Sequence, residues 1–369
     1  MTSERERNAA LNHQEYLSRA LTLESYPTMV FVELTENCNL SCHMCRSSKG
    51  YDRALDMSPA LFDTIATSLF PRATLIGLNG WGESTILRDF PERLRRAVES
   101  GAEVRLVTNA HAMTPALWRL FFQGDNVVVV SFDSADPEMF AKLGRGNFSL
   151  VKRNLEQGVK IRDEVGRGLI YLNMVVNSYT LVTLPNVIRF AADLGLNKVV
   201  VNPIKVVTSH PSHLGYSVDH IPVVLDESAA LATSLGVTLQ LGGALDESLA
   251  VPEALPDTCE NPWSNVLIEH TGRVTFCHHL LHTPAEYGMG SLAQSSFDDV
   301  WNGAPFQELR RLHVDAERSR GLPSRFQKCT WCYHNRYSDA EFPTEALNGR
   351  EVSTLSGKKL YRLRPVSTV

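Results

Sequence analysis

The chain has 369 residues with a formal charge of −5, which offers no basic face for a nucleic-acid backbone. Hydrophobic residues make up 43% and charged residues 21%, the balance of a soluble globular chain that predicts one large domain plus a smaller one. The first 27 residues mix both charge signs without a signal-peptide core, and no apolar run reaches membrane-spanning length, so the expectation is a cytoplasmic protein with reduced thiols and no membrane partner.

In chain order, residues 1–27 are expected as a helical extension. The runs TMVFVEL (28–34), ATLIGLN (73–79), EVRLVTN (103–109), NVVVVSFD (126–133), LIYLNMVV (169–176) and KVVVNPI (198–204) predict strands. Amphipathic stretches lie between them. In SPALFDTIATSLF, Ser58 is a natural N-cap, Pro59 takes the first helical position, and Leu61, Ile65 and Leu69 share a face. TLVTLPNVIRFAADLG repeats the pattern with Leu184, Val187, Ile188 and Ala191, and Gly195 is placed to end the helix. Strand and helix in alternation predict the α/β class with a parallel sheet. Six units, against the eight of a closed TIM barrel, predict an open, partial barrel over residues 28–240.

Beyond residue 205 the periodicity weakens. SHPSHLGYSVDHIP reads as loop, and a helical VVLDESAALATSLG leads to VTLQLG. Residues 241–258 are expected as a linker, 259–340 as a small α+β domain and 341–369 as a polar tail. Within the small domain, SNVLIEHTGRVTFC predicts a hairpin with Gly272 in its turn, and SFDDVWNGAPFQELRRLHVD predicts mostly helix despite Gly303 and Pro305.

Seven cysteines fall in two sets. Cys38, Cys42 and Cys45 are spaced C-x3-C-x2-C just after the first predicted strand, at the barrel end where loops carry chemistry. An odd count with clustered spacing favours metal ligation over disulfides. Three thiolates leave one iron of a cubic [4Fe–4S] cluster open to a further ligand. The alternative is a structural zinc, for which His43 would have to supply the fourth ligand.

This motif resembles the CxxxCxxC loop of the radical S-adenosylmethionine (SAM) enzymes, and the resemblance extends over roughly residues 28–205. It implies a partial (β/α)6 barrel whose unique iron is chelated by SAM, with reductive cleavage giving a 5′-deoxyadenosyl radical. Met44 stands where the family more often has an aromatic residue, and the resemblance gives it packing and backbone contact with the adenine. NGWGES (79–84) is similar to the Gly-Gly-Glu-Pro motif. On that likeness Gly82 lets the backbone approach SAM and Glu83 accepts from its ammonium group. Ser131 in VSFDS matches a SAM contact, Arg145 in LGRGNF matches an arginine for the carboxylate, and Asn109 in VTNA resembles the family's Thr-Asn-Gly.

The second set is Cys259, Cys277, Cys329 and Cys332. Four cysteines ending in CxxC also make a tetrahedral zinc site. Gly272-x4-Cys277, the preceding Cys259, NPWSNVLIEHTGRVTFC and DDVWNG resemble the SPASM extension of radical SAM enzymes. A full SPASM domain holds two auxiliary clusters; four cysteines suffice for one, the shortened form called a twitch domain. The cofactors so implied are SAM and two [4Fe–4S] clusters, with an external reductant such as flavodoxin or ferredoxin.

Three cysteines plus four exhaust the complement, which leaves no thiol to return a hydrogen atom as an epimerase requires. The layout resembles the twitch enzymes that oxidise aminocyclitol alcohols in antibiotic pathways. The expectation is a dehydrogenase that abstracts the carbinol hydrogen of an aminocyclitol or aminoglycoside precursor and passes an electron to the auxiliary cluster. His278, beside Cys277, is the candidate base. The competing readings are a sugar epimerase and a SPASM-type enzyme that oxidises or crosslinks peptides.

Overall fold

The computed structural model describes residues 3–45, 50–204, 221–241, 259–283 and 287–314, positions 326 and 329, and two strands at 350–355 and 358–363. All six predicted strands form: β1 (Met29–Val32), β2 (Leu75–Gly77), β3 (Glu103–Thr108), β4 (Val127–Ser131), β5 (Leu169–Val176) and β6 (Lys198–Pro203). Each pairs in parallel with the next. The crossovers are helical: α1 (Glu4–Leu17) precedes the sheet, then come α2 (Pro59–Leu69), α3 (Phe90–Glu99), α4 (Pro115–Phe121), α5 (Pro137–Lys142), α6 (Phe148–Val165) and α7 (Leu184–Asp193). Ser58 caps α2 with Pro59 in its first turn, as its sequence predicts.

The strands alternate as two-sided surfaces must. In β3 and β5 the residues Val104, Leu106, Ile170, Leu172 and Met174 are fully buried among helix side chains such as Leu94, Leu117 and Leu155. Their neighbours Arg105, Tyr171 and Asn173 are half-buried on the inner face of the sheet. There Lys198 lies over the Tyr171 ring at 4.9 Å, and Asn202 donates to Asn173 at 2.8 Å. Val107, Val175 and Val200 share that face, so the inner wall mixes polar side chains with apolar ones.

Two findings go beyond the six predicted units. Helix α8 (Ile221–Ser234) leads into β7 (Thr238–Leu241), which extends the parallel ladder beside β6. On the opposite side the sheet does not stop at β1. After α9 (Asn261–Ser264), strand β8 (Asn265–Ile268) pairs in parallel with β1, Met29 opposite Asn265 and Val32 opposite Ile268. Strands β9 (Arg273–Thr275) and β10 (Gly290–Ser291) follow as antiparallel neighbours. The hairpin assigned by its sequence to a separate small domain thus continues the barrel's own sheet, because β1 would otherwise expose an unpaired edge.

The predicted late helix divides into α10 (Phe297–Trp301) and α11 (Ala304–Val314). The break falls at Asn302–Gly303, and Pro305 sits in the first turn of α11, where its missing N–H costs nothing. Residues expected as a polar tail form a separate antiparallel pair, β11 (Arg350–Leu355) with β12 (Lys358–Leu363). The loop at 205–220 and nearly all of the expected linker at 241–258 lie outside the described residues.

Helix α1 ties the two halves together. Ser3 and Glu6 form a capping box at its start. Arg5 donates to the carbonyls of Ala73 and Ser100, and Asn12 donates to that of Trp263 at 2.7 Å.

Candidate active site

The loop leaving β1 carries the first three cysteines, and Asn37 fixes its start. This fully buried side chain donates to the Asp52 carbonyl at 2.7 Å and to Asp56 at 2.8 Å, while its backbone carbonyl accepts from Glu83 N–H. Downstream, the Cys42 thiol lies 3.3 Å from the Gly144 carbonyl, and His43 N–H donates to Leu143. Cys38, Cys42 and Cys45 carry free thiols. Burial, and then the charges of Glu83, Cys42 and Cys45, push the Cys38 thiol up to about 11. Burial raises Cys42 as well, with Arg145 opposing it. Three thiols gathered in one loop, with Cys42 and Cys45 both opposing the ionisation of Cys38, are a donor set that a multivalent cationic centre stabilises as thiolates. The residues fit an iron–sulfur cluster. Met44 is half-buried within this loop.

The GWGES segment supports that loop from beneath. A side-chain carbon on Gly82 would lie 2.4 Å from the Thr35 carbonyl and 2.5 Å from that of Asn37. The close approach that glycine permits is therefore to the backbone leading into Cys38, where the sequence likeness gave it to SAM. Gly82→Ala is expected to displace the cysteine loop, because both obstructing atoms are backbone. The cost should exceed the roughly 1–3 kcal/mol of ordinary overpacking. Iron content after anaerobic reconstitution should fall with melting temperature; retention of full iron would show that the loop yields freely.

Glu83 is likewise committed to the protein. Its Oε1 accepts from the hydroxyls of Thr85 at 2.5 Å and Thr108 at 2.7 Å and from Thr85 N–H at 3.3 Å, and Oε2 accepts from Asn109 N–H at 2.7 Å. Burial raises its pKa against these donors. The expected acceptor for SAM's ammonium group is thus first a crosslink between the ends of β2 and β3. Asn109 donates to Asn39 at 2.8 Å, and its amide lies 3.9 Å from the Cys38 sulfur. It therefore positions the cysteine loop. Ala110 follows with φ of 60°, the left-handed conformation that suits the glycine of Thr-Asn-Gly.

Arg145 forms an ion pair through Nε with Asp133, which is fully buried and also accepts from Val175 N–H at 2.7 Å. Burial opposes the guanidinium charge, but Asp133 and the neighbouring Cys42 and Cys45 raise its pKa. Among the described residues no hydrogen bond engages its terminal nitrogens, which fits a bidentate carboxylate partner. Ser131 ends β4 half-buried on the inner face, opposite Asn173. His278 packs edge-on against Phe31 at 4.3 Å. It keeps an exposed edge, yet desolvation by the surrounding protein pulls its pKa down to about 4. The imidazole is therefore neutral at pH 7.

A second group of polar side chains meets beside this loop; of its members only His282 stands out in sequence, in HHLLH (278–282), a histidine run that tempts as a metal site but is expected to line the hairpin exit. Glu33 follows β1 and is fully buried. It accepts from His282 at 2.8 Å and from Trp81 N–H at 2.9 Å, and His270 approaches it at 3.4 Å. Glu36 lies 3.2 Å from each of these histidines. Burial disfavours the Glu33 charge, but the hydrogen bonds from His270, His282 and Trp81 hold its pKa at about 2. A depressed carboxyl contributes stability above its unfolded value, and that contribution is lost as pH falls through the folded one. Glu33→Gln should therefore cost most above pH about 4.5, on the order of 3 kcal/mol, with the difference vanishing toward pH 2. Melting temperatures of both proteins across that range test this; a pH-independent difference would assign the loss to packing. The sequence signal was a pair of acids, in VELTENC, interrupting an otherwise apolar strand end.

Of the second cysteine set, Cys259 precedes α9 and Cys277 ends the run of β9. Cys277 and Cys329 are packed, partly buried, against the core. Cys332 lies outside the described residues.

This geometry can be set beside known proteins. Residues 32–191 match the radical SAM superfamily, and residues 259–333 match SPASM, an iron–sulfur cluster-binding domain. The chain is 25% identical over 301 residues to the tungsten-containing aldehyde ferredoxin oxidoreductase cofactor-modifying protein of Pyrococcus furiosus, covering 76% of this chain and 82% of that one. It is 23% identical over 296 residues to the PqqA peptide cyclase of Granulibacter bethesdensis, covering 77% and 76%. Among solved structures, Streptococcus suis SuiB bound to S-adenosylmethionine superposes with a TM-score of 0.64 at 16% identity, over 86% of this chain and 75% of that one. The chain is thus an enzyme that joins a radical SAM partial barrel, which binds SAM and a [4Fe–4S] cluster, to a SPASM domain, which binds auxiliary iron–sulfur chemistry.

Proposed function

We propose that this enzyme oxidises a peptide substrate through a carbon radical. The observation that carries the reading is the likeness to a peptide cyclase across three-quarters of both chains. It favours peptide modification over the aminocyclitol oxidation that the resemblance to twitch enzymes implies. Among the described residues the sheet runs in order from β10 through β1 to β7 without closing on itself, and an open-sided barrel suits an extended substrate.

When bound, the first cluster and SAM supply a hydrogen-abstracting 5′-deoxyadenosyl radical, and the auxiliary centre supplies an electron acceptor. The chain's residues do the rest. Cys38, Cys42 and Cys45 would hold the first cluster, and Cys259, Cys277, Cys329 and Cys332 the auxiliary one. Arg145, anchored by Asp133, would fix the SAM carboxylate, with Ser131 beside it. His278, exposed and neutral at pH 7, would take the proton that substrate oxidation releases.

A second reading rests on the inner wall, where Arg105, Tyr171, Asn173, Lys198 and Asn202 suit a small hydroxylated ring. Anaerobic incubation with SAM, a reductant, and separately a randomised peptide library and a panel of aminocyclitols decides between them by mass spectrometry. The peptide reading expects peptides lighter by two hydrogens or crosslinked. A ketone from an aminocyclitol, with peptides unchanged, would overturn it. An unchanged mass with deuterium gained from heavy water would instead identify an epimerase.

A further inference from the structure

We propose that His111 is a positioning residue for SAM binding: as a neutral imidazole protonated on Nδ1, it joins the two supports of the cysteine loop and holds the segment that carries Arg145. This rests on the assignment of Arg145 to the SAM carboxylate.

The hydrogen bonds fix the tautomer. His111 Nδ1 lies 3.2 Å from the Asn109 backbone carbonyl and 3.2 Å from Asn109 Oδ1. Both partners are acceptors, and Oδ1 also accepts from His111 N–H at 3.0 Å, so Nδ1 carries the proton. Across the ring, Nε2 accepts from the Asn147 backbone N–H at 3.0 Å, so Nε2 is bare. A proton there would set two donors face to face. The bridge therefore exists only with the ring neutral. Burial lowers the imidazole pKa; the Asn109 bond opposes this, and the charge of Arg145 adds to it.

The bridge spans both sides of the site. Toward β3, Asn109 donates to Asn39 at 2.8 Å, and its amide lies 3.9 Å from the Cys38 sulfur. Toward α6, Asn147 caps the helix by accepting from Leu150 N–H, and Arg145 stands two residues before it. Gly144, just ahead of Arg145, places its carbonyl 3.3 Å from the Cys42 thiol. A side chain on Gly146 would meet His111 Nε2 at 2.6 Å and Leu40 at 2.8 Å, so the ring, the cysteine loop and this segment close on one point. Asn154 of α6 secures the turn by donating to the carbonyls of Ala110 at 2.8 Å and His111 at 3.2 Å. His111 thus completes a chain of contacts from Cys38 to Cys42 that runs through the Arg145 segment. Asp133 holds Arg145 only through Nε, so the aim of the terminal nitrogens depends on where that segment is held. Among the described residues Arg145 is the charged group that bears on the ring; the other side chains that engage it or its turn, Asn109, Asn147 and Asn154, do not titrate.

The test measures SAM affinity of the anaerobically reconstituted full chain by equilibrium dialysis, with iron content as the check on loading. At about pH 7.5, His111→Phe keeps an aromatic ring but offers no acceptor, and should weaken SAM binding roughly threefold to tenfold, the worth of one hydrogen bond. His111→Gln, whose Oε1 can accept from Asn147 N–H, should recover most of that loss. A histidine with a lowered pKa is neutral at pH 7, so the wild type should hold its affinity there and lose it as pH falls below 6.5. By about pH 5.5 that loss should reach roughly threefold relative to His111→Gln, which takes up no proton. Arg145→Gln is measured alongside. Weakened binding in Arg145→Gln with wild-type binding in His111→Phe overturns the proposal and spares the Arg145 assignment; wild-type binding in Arg145→Gln overturns both. If His111→Phe fails to hold iron, His111→Gln decides, and a glutamine variant that follows the wild-type pH profile overturns the proposal.

Discussion

Replacing Cys38, Cys42 and Cys45 together by alanine is expected to abolish SAM cleavage and to remove half of the bound iron. Two cubic clusters hold about eight irons, and the three residues would supply the protein ligands of one of them. The loop itself should survive the change. Its fold is held by Asn37 bridging Asp52 and Asp56, by Glu83 N–H on the Asn37 carbonyl, and by His43 N–H on Leu143. None of these bonds uses a thiol. Iron analysis and SAM turnover on the same anaerobic preparation make the measurement. Loss of all iron would mean that the auxiliary centre depends on the first. Zinc with a sulfur shell in the remaining site would remove the electron acceptor from the proposed reaction.

Glu83→Ala is expected to destabilise the protein before any substrate binds, by about 2–4 kcal/mol. The substitution leaves the buried Asn109 N–H without its acceptor and strips two threonine hydroxyls and Thr85 N–H of theirs. It also detaches the Asn109 segment from β2, and Asn109 is what holds Asn39 and reaches Cys38. Apo stability and SAM affinity should therefore fall together. Glu83→Gln, which keeps the volume and one acceptor oxygen, should recover part of the stability. A variant with wild-type apo stability and weakened SAM binding alone would return Glu83 to the ligand contact that its motif suggests.

The sequence by itself determined the scaffold and the cluster loop. A two-residue alternation writes β3 and β5 in local terms, and Ser58-Pro59 writes the start of α2. Likewise C-x3-C-x2-C is legible because all its ligands lie in eight consecutive residues. The periodicity that reveals an element depends only on neighbours along the chain. Tertiary structure decided what depends on distant neighbours. The pairing of β8 with β1 joins residues that no local pattern links. That Gly82 also makes room for the Thr35 and Asn37 carbonyls is visible only in the fold. Arg145 is named in the sequence for a carboxylate, and only the fold shows that Asp133, twelve residues earlier, anchors its Nε. Glu33 shows the difference most fully. In sequence it is an acid at a strand end, where water could solvate it. In the fold it lies fully buried, and a charge there persists because His270 and His282, 237 and 249 positions away, and the N–H of Trp81 supply its hydrogen bonds.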